Sequence, residues 1–210
     1  MVDFFFHIDK YLSIIIQNFG AGSYLLLFAI IFAETGLVVT PFLPGDSLLF
    51  AAGAFAAIGS FDLAWLFIVL SSAAIIGDSV NYAIGKFFGE KLFRNPKSKI
   101  FKREYLNRTH AFYEKYGGKT IVIARFVPVI RTFAPFVAGI GKMSYLRFFL
   151  YNVFGGLLWV ASFLLCGFYF GNTPLIQDNF SVTIFVIIFL SILPGIIEFY
   201  RHHRRKRLAK

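Results

Sequence analysis

Thr40-Pro41-Phe42-Leu43-Pro44-Gly45-Asp46 interrupts an apolar run that otherwise extends over residues 24–58. A helix needs about 20 apolar residues to cross a bilayer, and about 12 remain between Asp46 and Gly59. Two prolines and a glycine stop any helix entering this stretch. The second half is therefore too short to span, and residues 24–58 read as a hairpin that enters and leaves the membrane on one side. Two proline-kinked spans are the competing interpretation.

The rest of the chain fits a membrane setting. Of its 210 residues, 58% are hydrophobic, 15% are charged and 29 are Phe, with a mean hydropathy of +0.70. Soluble chains sit near 45–50% apolar, so a soluble enzyme is excluded. Residues 63–88, 145–170 and 181–200 read as three spanning helices, and residues 120–141 as a second broken segment, interrupted by Pro128 and Pro135. Residues 1–19 and 97–116 carry apolar residues at helical spacing and read as interfacial amphipathic helices. The acids Asp3 and Asp9 argue against a cleavable signal.

Charge fixes the sidedness. The net charge is +10, with ten of the 21 Lys and Arg lying between Lys86 and Lys119 and six more between Arg201 and Lys210. Basic blocks flanking apolar runs belong on the cytoplasmic face, against anionic headgroups, and do not call for a nucleic acid. With the basic loop and the basic tail 201–210 on one side, the two clean spans between them leave 120–141 as a re-entrant hairpin from the cytoplasm. Hairpin 24–58 then enters from outside. Pro41-Phe42-Leu43-Pro44-Gly45 is echoed by Pro135-Phe136-Val137-Ala138-Gly139, with Gly139 completing the second breaker. The expected fold is a single all-α integral membrane domain with two opposed re-entrant hairpins in an inverted repeat, an arrangement found in secondary transporters.

Five ionisable residues lie at membrane depth: Glu34, Asp46, Asp78, Arg125 and Arg131. Each costs about 2.5–3.5 kcal/mol at a helix centre, so pairing, protonation or a water-filled cavity must compensate. Arginine suits bidentate phosphate recognition, and a carboxylate removed from water holds a proton more readily. Arg125 and Arg131 are the candidate phosphate-headgroup ligands, and Glu34 and Asp46 the candidate proton carriers. A purely structural set of ion bridges is the alternative. Asp78, Asn81, Tyr82 and Gly85 fall at i, i+3, i+4 and i+7, one helix face that serves either as packing or as a secondary cavity wall. Trp65, Tyr145 and Tyr151 read as belt residues at the interface, and Trp159 as lipid-facing or packed. The single Cys166 and four dispersed His make no disulfide or metal site, and no cofactor is expected.

These motifs carry a resemblance. Residues 34–46, Gly77-Asp78 with Asn81-Tyr82, and Ala124-Arg125-Phe126-Val127-Pro128 continuing through Arg131 to Gly139 resemble the bacterial DedA family, which carries the SNARE-associated or VTT domain. The resemblance spans roughly residues 10–200. It implies a multi-pass inner-membrane protein with a cytoplasmic C-terminus and two opposed re-entrant hairpins. It also implies roles in membrane homeostasis, proton-motive-force dependence and resistance to cationic peptides. In some members it implies return of undecaprenyl phosphate to the cytoplasmic leaflet, while eukaryotic relatives resemble phospholipid scramblases. By motif match the family's essential acids fall on Glu34 and Asp46, and its essential arginines on Arg125 and Arg131. The expected activity is lipid translocation, of polyprenyl phosphate or of a phospholipid such as phosphatidylethanolamine. Proton-coupled export or pH homeostasis is the further alternative, and catalysis is not expected.

Overall fold

The computed structural model describes residues 20–37, 45–92, 116–141 and 143–173, and among these residues the chain is entirely helical apart from its turns. In chain order the helices are α1 (Ala21–Gly36), α2 (Gly45–Ala57), α3 (Leu63–Leu92), α4 (Lys119–Ala124), α5 (Pro128–Ile140) and α6 (Tyr145–Gly171). The amphipathic helices expected at 1–19 and 97–116, the breaker residues Pro41 and Pro44, the span 181–200 and the tail 201–210 lie outside the described residues, save Tyr116.

Among the described residues two helices are long and apolar enough to cross a bilayer, Leu63–Phe88 with 26 residues and Tyr145–Gly171 with 27. At 1.5 Å per residue they extend about 39 and 40 Å, against a hydrocarbon core of about 30 Å. The remaining helices are shorter: 16 residues in α1, 13 in α2, 6 in α4 and 13 in α5.

Local chemistry sets the helix ends. The Gly59 N–H donates to the Ala56 carbonyl at 3.1 Å and the Ser60 N–H to that of Phe55 at 3.0 Å, a paired closure of α2 that needs the positive φ of Gly59, +81°. Asp62 then caps α3: its Oδ1 accepts from the Trp65 N–H at 2.8 Å, and its own N–H donates to the Tyr24 hydroxyl at 2.9 Å. The break between α4 and α5 follows from Pro128. A residue before proline is pushed out of the helical region, and Val127 is extended at φ −116° and ψ 105°. Pro128 then opens α5 at a position where its missing N–H costs nothing.

Pro135 does not break the second segment, contrary to the sequence reading. It lies inside α5, as does Gly139. Proline removes one backbone bond, but the helix is held from outside by tight packing on α3. A Cβ on Gly85 would land on the Phe136 carbonyl oxygen, and one on Gly139 would meet the carbonyl oxygen of Tyr82. Bare backbones in contact are the small-residue packing expected of helices within a bilayer. Gly139 is thus a contact residue and not a breaker.

The chain forms two compact units. One comprises Met1–Leu25, Phe42–Leu66 and Ser162–Lys210, the other Leu26–Pro41 and Phe67–Ala161. In the first, Gly53 lies against the Leu164 carbonyl and Gly167 against that of Phe50. In the second, Tyr82, Ile121, Ala124, Ala134, Ala138 and Phe148 build the core. The Tyr82 ring stacks on Phe148 at 4.4 Å, and its hydroxyl donates to the Met143 carbonyl.

Candidate functional site

Among the described residues the second unit holds two buried ion pairs, Glu34 with Arg131 and Asp78 with Arg125. Glu34, near the end of α1 and 1% exposed, accepts from the Arg131 guanidinium in the first turns of α5. Arg125, in the turn after α4, pairs with Asp78 on α3, its Nη2 lying 2.5 Å from Asp78 Oδ2. Two carboxylates therefore balance two guanidiniums within one packed unit. Burying any one of them alone would be prohibitive, whereas a neutral, hydrogen-bonded set is tolerated.

The two arginines are held differently. Arg125 Nη2 also donates to Asn152 Oδ1 on α6 at 2.5 Å and to the Ala74 carbonyl at 3.5 Å. Asn152 is fully buried, and its amide nitrogen donates to the Ile75 carbonyl at 3.0 Å and to Ser79 Oγ at 3.3 Å. The arginine stem runs against α6 where side chains are missing: a Cβ on Gly155 would sit 3.2 Å from Arg125 Cδ. Arg125 Nε is buried with no hydrogen-bond partner among the described residues. Arg131 instead lies over an aromatic ring, with its Cζ 4.9 Å from the centroid of Trp159. Arg125 Cζ is 6.0 Å from the same ring, at the outer edge of a useful cation–π contact.

A second amide fixes the spacing of the Glu34–Arg131 pair. Asn81, fully buried on α3, donates through Nδ2 to the Thr35 carbonyl at 3.0 Å and to the Thr132 carbonyl at 2.8 Å. Thr35 follows Glu34 and Thr132 follows Arg131, so one side chain ties together the backbones that carry both partners.

Glu34, Asp78, Asn81, Tyr82, Arg125 and Arg131 all belong to the second unit. The carboxylate on Arg125 is Asp78, which the sequence reading set on a secondary wall. Asp46 lies in the first turn of α2, in the other unit, where a carboxylate is favoured by the helix dipole. Asn152 was not singled out at all, and Trp159 was read only as lipid-facing or packed; it is packed, 1% exposed, and lies beside both guanidiniums. The signal was present, because Asn152, Gly155, Gly156 and Trp159 fall at i, i+3, i+4 and i+7 of α6, the same spacing as Asp78, Asn81, Tyr82 and Gly85 on α3.

Among the described residues no group of three or more His, Cys, Asp or Glu could hold a metal ion.

Comparison with known proteins places these residues in a family. The model of the VTT domain matches residues 43–169. The chain is 58% identical over 206 residues to protein DedA of Escherichia coli (strain K12), covering 97% of this chain and 94% of that protein. An uncharacterized membrane protein of Mycobacterium leprae (strain TN) is 39% identical over 193 residues, covering 91% of this chain and 86% of its own. The inner membrane protein YqjA of Escherichia coli (strain K12) is 36% identical over 152 residues, 72% of this chain and 69% of that protein. No solved structure matches. A chain whose described residues are helical apart from their turns, with two membrane-length helices among them, a VTT domain and relatives similar along nearly its whole length, is a membrane protein, and it belongs to the DedA family.

Proposed function

We propose that this protein is a translocase for lipid-linked phosphate, moving undecaprenyl phosphate between the leaflets of the cytoplasmic membrane, and that it is not an enzyme. The observation that carries the proposal is the buried Glu34–Arg131 pair. A guanidinium held by a carboxylate at membrane depth already has the geometry that recognises a phosphate, and the carboxylate is its natural competitor.

The charge count suggests how the exchange is driven. Glu34 and Asp78 balance Arg125 and Arg131, so an arriving phosphate would bring uncompensated negative charge. A proton on Glu34 removes one negative charge and weakens its hold on Arg131, which the headgroup then engages. One proton is thus taken up per headgroup charge, and releasing it returns the pair and expels the lipid. Asp46 serves as a second carrier of protons from its place at the start of α2. The polyprenyl tail stays in the surrounding lipid.

The architecture that goes with this function has α1 with α2, and α4 with α5, as re-entrant hairpins entering from opposite faces. Their helices are about 9–24 Å long, short of a hydrocarbon core of about 30 Å, which supports that assignment. The basic loop and tail lie against anionic cytoplasmic headgroups, leaving the C-terminus in the cytoplasm.

The test is leaflet exchange of undecaprenyl phosphate in proteoliposomes, with and without an imposed pH gradient, against an Arg131→Ala control. The expected result is exchange that the variant loses, that responds to the gradient and that excess phosphatidylethanolamine does not block. Exchange no faster than in empty liposomes, with protein shown to be folded, overturns the proposal.

A further inference from the structure

Asp78 is the buried acid to which the exchange above gives no part, and its surroundings are incompletely paired. It stands about 4 Å along α3 from the middle of the apolar stretch Leu63–Phe88. Its Oδ2 takes one donor, Arg125 Nη2, and that nitrogen is shared with Asn152 Oδ1 and the Ala74 carbonyl. Arg125 Nε, on the same edge of the guanidinium as Nη2, is buried with no hydrogen-bond partner among the described residues. Such an edge can grip two oxygens of a single oxyanion. Asp78 engages only half of it.

Asn81, three residues on and on the same helix face, has an acceptor to spare. Its Nδ2 donates to the Thr35 and Thr132 carbonyls, so the amide is fixed in one orientation. Turned over, it would set its oxygen against two carbonyl oxygens. Its Oδ1 is buried without a hydrogen-bond partner among the described residues, in a residue that is 0% exposed. An unpaired acceptor in a native interior needs a reason, and a donor that forms in another state of the site supplies one. Side chains three apart on a helix have Cβ atoms about 5–6 Å apart, where amide and carboxyl groups hydrogen-bond. An ionised Asp78 cannot donate to Asn81 Oδ1; a protonated one can.

The charged groups around Asp78 come from three other elements. Arg125 approaches from the turn after α4, and Arg131 on α5 acts on it through charge. Helix α1 brings Glu34, the residue before Thr35. From α6 the groups beside Arg125 are the neutral Asn152, Gly155 and Gly156, and on α3 the Tyr82 hydroxyl is committed to the Met143 carbonyl. A phosphate monoester carries about −1.5 to −2 charges at pH 7, more than one proton on Glu34 offsets.

We propose that Asp78 binds the further proton: as the phosphate takes over the Arg125 guanidinium, Asp78 is protonated and its O–H is received by Asn81 Oδ1. This rests on the lipid-phosphate reading above and deepens it, because it assigns a proton site, and the acceptor that holds it, within the unit that carries both arginines. An O–H bond forms on the carboxylate with a proton from water, and the hydrogen bond from Nη2 to Oδ2 is given up. Release of the lipid returns the proton to water and restores the ion pair. A neutral Asp78 without the lipid would leave the Arg125 charge buried and unbalanced, so proton and phosphate arrive together.

The test counts protons. The full chain in nanodiscs of zwitterionic lipid is titrated calorimetrically with a short-chain polyprenyl phosphate, at a pH where the monoester is a dianion. Repeating the titration in buffers of different ionisation heat gives the protons taken up per lipid bound. The expected count is about two, one per headgroup charge. Asp78→Asn, which mimics the neutral acid, should still bind the lipid but take up one proton fewer, and Asp78→Glu should restore the count. Asn81→Leu keeps the acid and removes its acceptor; it should lower the count and weaken binding about 2- to 10-fold, the worth of one hydrogen bond. A structural ion pair would leave Asp78 ionised throughout. An unchanged count in Asp78→Asn therefore overturns the proposal, and where that variant fails to fold, an unchanged count in Asn81→Leu does so. A count that falls in Glu34→Gln alone also overturns it, while leaving the translocase reading standing. Equal proton uptake with inorganic phosphate overturns the lipid as the source of the oxyanion. No saturable binding to the unaltered protein defeats the translocase reading itself, and this proposal with it.

Discussion

Replacing Asp78 by Asn should destabilise the protein out of proportion to the size of the change. The substitution keeps the side-chain shape but leaves Arg125 charged, with its head between α3 and α6 and 4% exposed. Removing one partner of a buried pair costs about 3–5 kcal/mol, and a lone arginine at membrane depth costs about 2.5–3.5 kcal/mol on the insertion scale. The two routes meet near 3 kcal/mol, and the hydrogen bonds to Asn152 and the Ala74 carbonyl survive to keep the value at the lower end. At about 1.4 kcal/mol per factor of ten, the unfolding equilibrium should move by roughly a hundredfold or more. Against a typical stability of about 5–15 kcal/mol this is a large fraction.

A double replacement separates the pair from its surroundings. In Asp78→Leu with Arg125→Met no charge remains, and the principal loss is the acceptor Asn152 Oδ1, left buried without its donor at about 1–3 kcal/mol. The single changes together should cost about 6–8 kcal/mol, so the double variant should be less destabilised than their sum by about 3 kcal/mol or more. The assay is reversible unfolding in mixed micelles of rising SDS fraction, followed by far-ultraviolet circular dichroism. Additivity within about 0.5 kcal/mol would refute the reasoning, as independent sites behave that way. A single-variant cost below about 1 kcal/mol would refute it too, since that is the scale of a solvated pair.

Two other perturbations probe the frame around the site. Gly85→Ala drives a methyl into the Phe136 carbonyl, so α3 and α5 must separate, and thermal unfolding should report a loss of about 1–3 kcal/mol; an unchanged melting temperature would show that the two backbones are not in contact. Asn81→Leu removes the donor shared by Thr35 and Thr132, at about 0.6 kcal/mol per bond inside a membrane. Asn81→Asp should be the more damaging of the two, because it also adds a buried charge, and the reverse order would contradict the assignment of Asn81 as a donor.

How much of this was legible beforehand depends on which physical rule each residue obeys. Long apolar runs announce themselves: the segments read at 63–88 and 145–170 correspond to the helices Leu63–Phe88 and Tyr145–Gly171, because a bilayer demands length and apolar composition together. Pro128 was equally plain, since it constrains its own φ and the residue before it. Pro135 misled because helix breaking is a local tendency, and the contact of α5 with Gly85 overrides it through residues 50 positions away. Ion-pair partners were harder still. Sequence identifies which charges need compensation but not which acid meets which arginine, and the acid on Arg125 is Asp78, 47 residues earlier, which the sequence reading placed on a secondary wall.

Asn152 and Trp159 were missed for a different reason, and it bears on how such sites should be sought. The burial of an ionised residue is costly enough to mark it in a sequence, whereas on α6 Trp159 reads only as lipid-facing or packed and Asn152 carries no charge to mark it. Yet lipid cannot hydrogen-bond an amide any more than it can solvate a charge, so a lone Asn within a span must face protein. On α3 the spacing i, i+3, i+4, i+7 collects Asp78, Asn81, Tyr82 and Gly85; on α6 it collects Asn152, Gly155, Gly156 and Trp159. Each face combines hydrogen-bonding side chains with glycine, and the combination has a cause. The amides and the acid supply partners, while glycine supplies room, as Gly155 and Gly156 do for Arg125. A guanidinium on a short helix can reach a buried partner only where a long helix offers both on the same face. Polar residues and glycines in register on a spanning helix therefore mark where a neighbouring charge will be received, even when the charge itself lies far away in sequence.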